Sequence, residues 1–504
     1  MASRLVLSLL ITLWLVLPFA VRAQTAPWLR AESDHYVVHA SLQEGELRAL
    51  LQTMEEFDRV LHGLMPSETW HGRKPEFTLT DDPRRIARMI DFGASAVCDS
   101  HAELPMAYVL FAPDAKGKRD PGEIFYCLSQ FHLENSFFRP KPMWVAAGLS
   151  HYFGTAVRTE EGLFVIGTPR RLRPPEGISR RALAEALAVQ FRHRLESDYA
   201  RFLNVSRALA SPLLLEDRFS GILDRYLDAY AAGQSMENAA RELGDLDALA
   251  QELARRRIVA PVRRVQVAPA FVANISVRPM RADEIALIEP RFERLLETRL
   301  ESTAGKLRNL TRRHPESALV WYEFAAAEYA RVKHSDFGGR PVFRGFGFSN
   351  GELIVMANPY SDAEAWRAVN RALAIDPDLE SAQRLKAEIM LARLVREGNP
   401  DDPPSYDEVR ALLKKQARNP ERHPLAAALY HQTYVEQGRT PPHAAQKQLE
   451  RAFLHNAGVG DFRYAQATAL SRRGEKEMAR GLLISMLNDP AFSAAAWRAL
   501  EVTQ

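Results

Sequence analysis

Tyr126-Cys127-Leu128-Ser129-Gln130-Phe131-His132 and, a little further on, Pro142-Met143-Trp144-Val145-Ala146-Ala147-Gly148-Leu149-Ser150-His151-Tyr152-Phe153 form the stretch on which the reading of this chain turns. It reads as two consecutive helices, one around Ile124 to Phe138 and one around Trp144 to Thr155. Cys127, His132, Glu134 and His151 lie on or near them, so a cleft between the two would be lined by groups able to take part in chemistry. Upstream, His35 to His39 reads as a short strand. Leu47, Leu50, Leu51, Met54, Phe57, Leu61 and Leu64 then recur at helical spacing and give a long helix one apolar stripe. Glu76 to Thr80 and Met106 to Phe111 read as further strands, and Gly117 with Pro121-Gly122 marks a loop. The layout is α+β, with a small sheet and packed helices.

Downstream the chain becomes helical, from about Ser179 to Arg257. A linker rich in Val, Pro and Arg follows, with one or two short strands, and amphipathic helices in pairs run from Arg281 to the end. Within 317–377, Trp321, Phe324 and Ala325 fall at one helix spacing, and Ala365, Val369, Ala372 and Pro377 at that of a second helix with its closing proline. Small alanines let the paired helices approach, and the proline stops the second one. Between them lies an insertion, 333–360, rich in glycine and phenylalanine; its aromatic residues leave open a docking loop or a plug onto the helices. Later pairs are 379–397 with 406–417, 424–437 with 442–455, and 462–473 with 476–488.

Composition narrows the function classes. The 504 residues are 46% hydrophobic and 26% charged, as expected of a globular chain with real cores. With 66 Lys+Arg against 63 Asp+Glu the net charge is +3, so the basic excess of a nucleic-acid binder is missing. Two cysteines, Cys98 and Cys127, exclude a disulfide-rich scaffold and a Cys-only zinc site. The N-terminus has the pattern of a signal peptide: Arg4, a mostly apolar run from Leu5 to Val21, and Val21-Arg22-Ala23 as cleavage site, with cleavage after Ala23. An uncleaved anchor is the alternative. In an oxidising compartment Cys98 and Cys127 either pair or remain separate buried thiols.

The segment Pro142 to Phe153 resembles the helix Pro-x-Trp-x-x-Glu-Gly-Leu-Ala-Glu-Tyr-Phe of exported bacterial proteins with a peptidase-MA-like domain, of the thermolysin-like gluzincin class. Ser33 to Val38, Ile166 to Pro169 and Asp198 to Ala200 also have counterparts there, so the resemblance covers about Trp28 to Arg257. The helix pairs behind it resemble tetratricopeptide repeats, most specifically within 317–377. In active relatives a preceding His-Glu-x-x-His holds zinc and supplies the base, and the Glu of the Trp-x-x-Glu-Gly helix completes the ligand set. Laid on this chain, the first ligand position is Leu128, the base is Ser129, the second ligand is His132 and the third is Ala147. One ligand of three remains. Leucine and alanine cannot coordinate zinc, and serine does not replace the carboxylate without an activating partner.

These residues therefore predict a mainly α, α+β protein. Its parts are a signal peptide (1–23), a gluzincin-like domain (24–170), a helical subdomain of the same unit (171–258), a linker (259–280) and a tetratricopeptide-like solenoid (281–504). The expected function is that of a periplasmic or secreted pseudo-peptidase, without catalytic residues or cofactor, that binds a peptide or protein partner through the solenoid groove. The former cleft would offer a second binding surface. The alternative is a zinc-dependent hydrolase with a metal site rebuilt around His132 and His151. Arg170-Arg171-Leu172-Arg173, with Arg180-Arg181, reads as a solvated basic loop or a contact for an anionic surface.

Overall fold

The computed structural model describes residues 26–65, 73–89, 95–136, 142–167, 178–188, 199–255, 262–267, 272–297, 299–335, 348–349, 352–353, 362–397, 403–487 and 492–503. The segment 1–23 read as a signal peptide, the basic run 170–173 and most of the insertion 333–360 lie outside these residues.

The first part is built on strands β1 (Leu29–Glu32), β2 (Val37–Ala40), β3 (Glu76–Thr80), β4 (Ala96–Ser100) and β5 (Pro105–Leu110). Helix α1 (Glu44–Leu64) lies between β2 and β3, and α2 (Pro83–Met89) between β3 and β4. With the later β9 (Ser276–Pro279) the strands make a six-stranded mixed sheet, ordered β4-β5-β3-β2-β1-β9. The β2–β3 and β3–β5 pairs are parallel and the rest antiparallel. Side chains alternate between two cores, as the two-residue period of a strand requires. Ala96, Cys98, Ala107, Val109, Phe77 and Leu79 face the main core, while Val97, Met106 and Tyr108 face a second one on the opposite side.

The main core is filled by the apolar stripe of α1 and by α3 (Gly122–Ser136) and α4 (Met143–Phe153). Cys98 in β4 and Cys127 in α3 form a disulfide, with Cα atoms 5.5 Å apart. Closing a loop of this length contributes about 3–4 kcal/mol in the chain-entropy account. Strands β6 (Val157–Arg158) and β7 (Leu163–Ile166) follow, then α5 (Arg180–Leu187), α6 (Tyr199–Leu215), α7 (Ile222–Ala231), α8 (Met236–Ala240) and α9 (Leu246–Ala254). Their buried residues, from Leu183 to Leu253, belong to the same core as the sheet. Helix α4 meets α6 so closely that a Cβ on Gly148 would stand 2.3 Å from the Ser206 carbonyl oxygen.

The stretch read as a linker supplies two strands. β8 (Arg263–Gln266) pairs with β7, and β9 edges the six-stranded sheet beside β1. Helix α10 (Ala282–Leu295) then covers the sheet's other face through Ile288, Phe292 and Leu295.

The remaining helices are α11 (Leu300–Arg313), α12 (Ala318–Ser335), α13 (Ala363–Ile375), α14 (Glu380–Glu397), α15 (Pro403–Ala417), α16 (Pro424–Glu436), α17 (His443–Leu454), α18 (Gly460–Arg472), α19 (Lys476–Ile484) and α20 (Ser493–Thr503). Each packs against the next, and α10, α12, α14, α16, α18 and α20 also touch one another in sequence, so they form one row of a helical array. Of the insertion, Phe348–Ser349 and Glu352–Leu353 form a short antiparallel pair. The protein is thus mainly helical, with a small mixed sheet.

Candidate functional site

Helices α3 and α4 lie side by side, as their sequence suggests, but the positions that the resemblance singles out are packed rather than open. Leu128 and Ser129 are buried on α3, and the Ser129 hydroxyl donates to the Phe125 carbonyl one turn back at 2.7 Å. Ala147 on α4 is buried in the same core. No donor of a His-Glu-x-x-His site survives there except the imidazole of His132, so zinc does not fit that set.

His132 points elsewhere. Its imidazole is buried against α1, with Nε2 3.4 Å from the Met65 carbonyl oxygen. Its ring stands 4.7 Å from that of His62, the two planes nearly perpendicular at 84°. Asp58, one turn before His62 on α1, brings its Oδ2 to 3.6 Å from His62 Nε2. The Tyr36 hydroxyl donates to Asp58 Oδ1 at 2.7 Å. Beside them His35 Nδ1 lies 2.6 Å from Glu55 Oε2. Burial raises the Asp58 carboxyl, against the neighbouring histidines that lower it. The hydrogen bond to Glu55 raises His35, outweighing its partial burial.

His151 is half-buried on α4, its ring 5.5 Å from that of Tyr126. Burial, with the Arg207 charge in support, lowers it to about 4. The metal-capable groups gathered around His132 are Asp58 and His62, from α1, and not His151. The expectation of a site built from His132 and His151 is corrected accordingly: the two histidines face different neighbours.

A second feature lies where the sheet meets the helical array. The loop between β4 and β5 enters the row α10–α12–α14–α16–α18. Glu103 receives Arg294 Nη1 and Nη2 at 3.0 and 2.9 Å, together with the Tyr322 hydroxyl, and Arg384 Nη2 stands 3.6 Å away. Ala102 packs with Ala428, Leu449 and Phe462. Arg73 donates to the carbonyls of His101 and Ala102 at 2.8 and 2.6 Å and to Asn456 Oδ1 at 2.8 Å. Burial lowers its guanidinium to about 9. Beside this plug remains a cavity of about 520 Å3, lined by Arg73, Glu103, Tyr322, Arg384 and Leu425 among others. Asp376, Asp378 and Arg422 are exposed at its rim.

Sequence reasoning passed over this place. Glu103 has no motif around it, and its partners lie some 190 to 280 positions away (Arg294 and Arg384). Asp58 and His62 had a weak signal, a helical i, i+4 spacing of metal-capable residues on the apolar-striped helix.

Comparison with models of known families finds no match, and neither curated proteins nor solved structures give one.

Proposed function

We propose that this chain is an exported, non-catalytic protein that binds a short peptide segment of a partner in the cavity between the β4–β5 loop and the inner row of a tetratricopeptide-like solenoid. The observation that carries this reading is a contrast. The positions at which peptidase chemistry would stand, Leu128, Ser129 and Ala147, are buried core, whereas the inner row keeps an open cavity of about 520 Å3. That volume falls within the roughly 300–1,000 Å3 of ligand pockets. Its rim, acidic at Asp376 and Asp378 and basic at Arg422, suits a peptide backbone with charged side chains of both signs. Much of the row is already covered in cis by Ala102, Glu103 and Arg73, so the partner contributes a short segment rather than a long helix. Among the described residues no helix is long and apolar enough to cross a membrane.

The reading is tested by fluorescence anisotropy with peptides selected from a random library. Arg422→Glu, at the rim, and Ser381→Trp, which puts an indole into the cavity from a residue of its lining, are each expected to weaken binding about tenfold or more. Unchanged affinity in both variants would refute the assignment. A second reading, a zinc-dependent hydrolase centred on His132, is favoured by the approach of Asp58 and His62 to that residue. It requires zinc-dependent cleavage of those peptides, abolished by His132→Ala.

A further inference from the structure

Asp58, His62 and His132 offer one carboxylate and two imidazoles whose ligand atoms all lie within 4.8 Å of one another. Two ligands of a tetrahedral zinc, each at about 2.0–2.2 Å from the ion, stand roughly 3.3–3.6 Å apart. The 3.6 Å between Asp58 Oδ2 and His62 Nε2 has that span, and about an ångström of side-chain movement closes the remaining gap to His132. We infer that these three residues form a binding site for a single divalent transition-metal ion of the zinc class, clamping the C-terminal turns of α1 to α3. Mixed imidazole and carboxylate donors favour this class over calcium or magnesium, which prefer all-oxygen sites.

The surroundings fit a ligand set better than an incidental contact. The Tyr36 hydroxyl holds Asp58 through Oδ1, which leaves Oδ2 turned to His62. The Met65 carbonyl stands at His132 Nε2, the kind of outer partner that orients a ligating imidazole through its other nitrogen. Asp58 and His62 share one face of α1 because four residues make one helical turn. His132 and Asp58 are buried, while the His62 side chain keeps 30% of its exposure and gives an ion a way in from solvent. The inference needs no hydrolysis and is independent of the peptide-binding reading.

The test uses the full chain, purified without a polyhistidine tag, and zinc alone as the probe. Elemental analysis after dialysis against micromolar zinc is expected to give about one ion per chain, and cobalt substitution a visible tetrahedral spectrum. His62→Gln, at the half-exposed position, and Asp58→Asn are expected to remove stoichiometric binding. Tyr36→Phe is expected to weaken it about tenfold or more, as loss of an outer-shell partner does. His151→Gln leaves binding unchanged. Zinc should raise the melting temperature of the parent protein but not of His62→Gln, by mass action. Absence of saturable binding in the parent chain, or full binding in a folded His62→Gln, overturns the inference.

Discussion

Glu103 joins the sheet to the helices through a single carboxylate. Burial works to raise it, yet the charges of Arg294 and Arg384, with the Arg294 hydrogen bonds, hold it well below the usual carboxylate range. Arg294 in turn bonds Glu323 Oε2 at 2.6 Å, and Arg291 bridges Glu323 and Glu76. Removing one member of a buried pair leaves the other charge uncompensated, which costs about 3–5 kcal/mol. Arg294 keeps Glu323, so Glu103→Gln is expected to lower unfolding stability by less than that, about 1–3 kcal/mol in urea titration, the cost of an unmet buried hydrogen bond; a change within about 0.5 kcal/mol, the range of ordinary surface substitutions, would show that the plug carries little. Such a network leaves no local trace in a sequence. Glutamate and arginine are ordinary surface residues until the fold brings distant ones together, whereas the loss of donors at Leu128, Ser129 and Ala147 could be read directly, because side-chain chemistry does not depend on context.

At the scale of elements, legibility followed the length of the hydrophobic pattern. The stripe of α1 repeats over Glu44–Leu64 and fixes both the helix and its buried face. β3 was readable from Glu76-Phe77-Thr78-Leu79-Thr80, which contributes to both faces of the sheet. Among the strands missed were β1, β4, β6 and β7, each of two to five residues, whose partners rather than their own pattern make them strands. β9 was foreshadowed as a short strand in a linker, but its pairing with β1, across more than two hundred residues, has no local signal. The glycine of the Pro142–Phe153 segment has a clear structural reason, since the closeness of α4 and α6 depends on Gly148 lacking a side chain. Gly148→Ala places a methyl group against the Ser206 backbone and the Ala210 side chain, so the helices must separate. Overpacking of this kind typically costs about 1–3 kcal/mol. A drop in melting temperature with loss of α4–α6 protection in hydrogen exchange is expected, and an unchanged melting temperature would contradict the packing described here.

On the scale of the whole molecule, the sheet unit and the helical array are interlocked. Glu103, Ala102 and Arg73 enter the array from one side, and a Cβ on Gly458 would stand 1.5 Å from the Glu134 carbonyl of α3. The sequence predicted an open groove because paired helices alone do not reveal what covers them. Three histidines are held neutral by their surroundings: buried His39 on the sheet, half-buried His151 on α4 and buried His431 on α16 are each lowered by desolvation to about 4, from 6.5. Between those values the unfolded chain binds more protons than the folded one, so stability rises with pH from about 4 to 6.5 and levels off above. His35, raised by Glu55, works in the opposite sense: its contribution is complete below 6.5 and is lost as pH rises through its higher folded value. His423 is lowered by burial as well, and the His35 contribution is constant below 6.5, so the urea midpoint is predicted to fall steadily from pH 6.5 to 4.5; a flat midpoint across that window would contradict the assignment.

One mass-spectrometric experiment separates peptide capture from peptide cleavage. The full chain, with zinc present, is incubated with a complex peptide mixture, and both the retained and the free fractions are sequenced. A subset of peptides is expected to be retained intact by the parent chain and lost in Arg422→Glu. New fragments that form only with zinc and vanish in His132→Ala, or a retained fraction no different from that of Arg422→Glu, would contradict it.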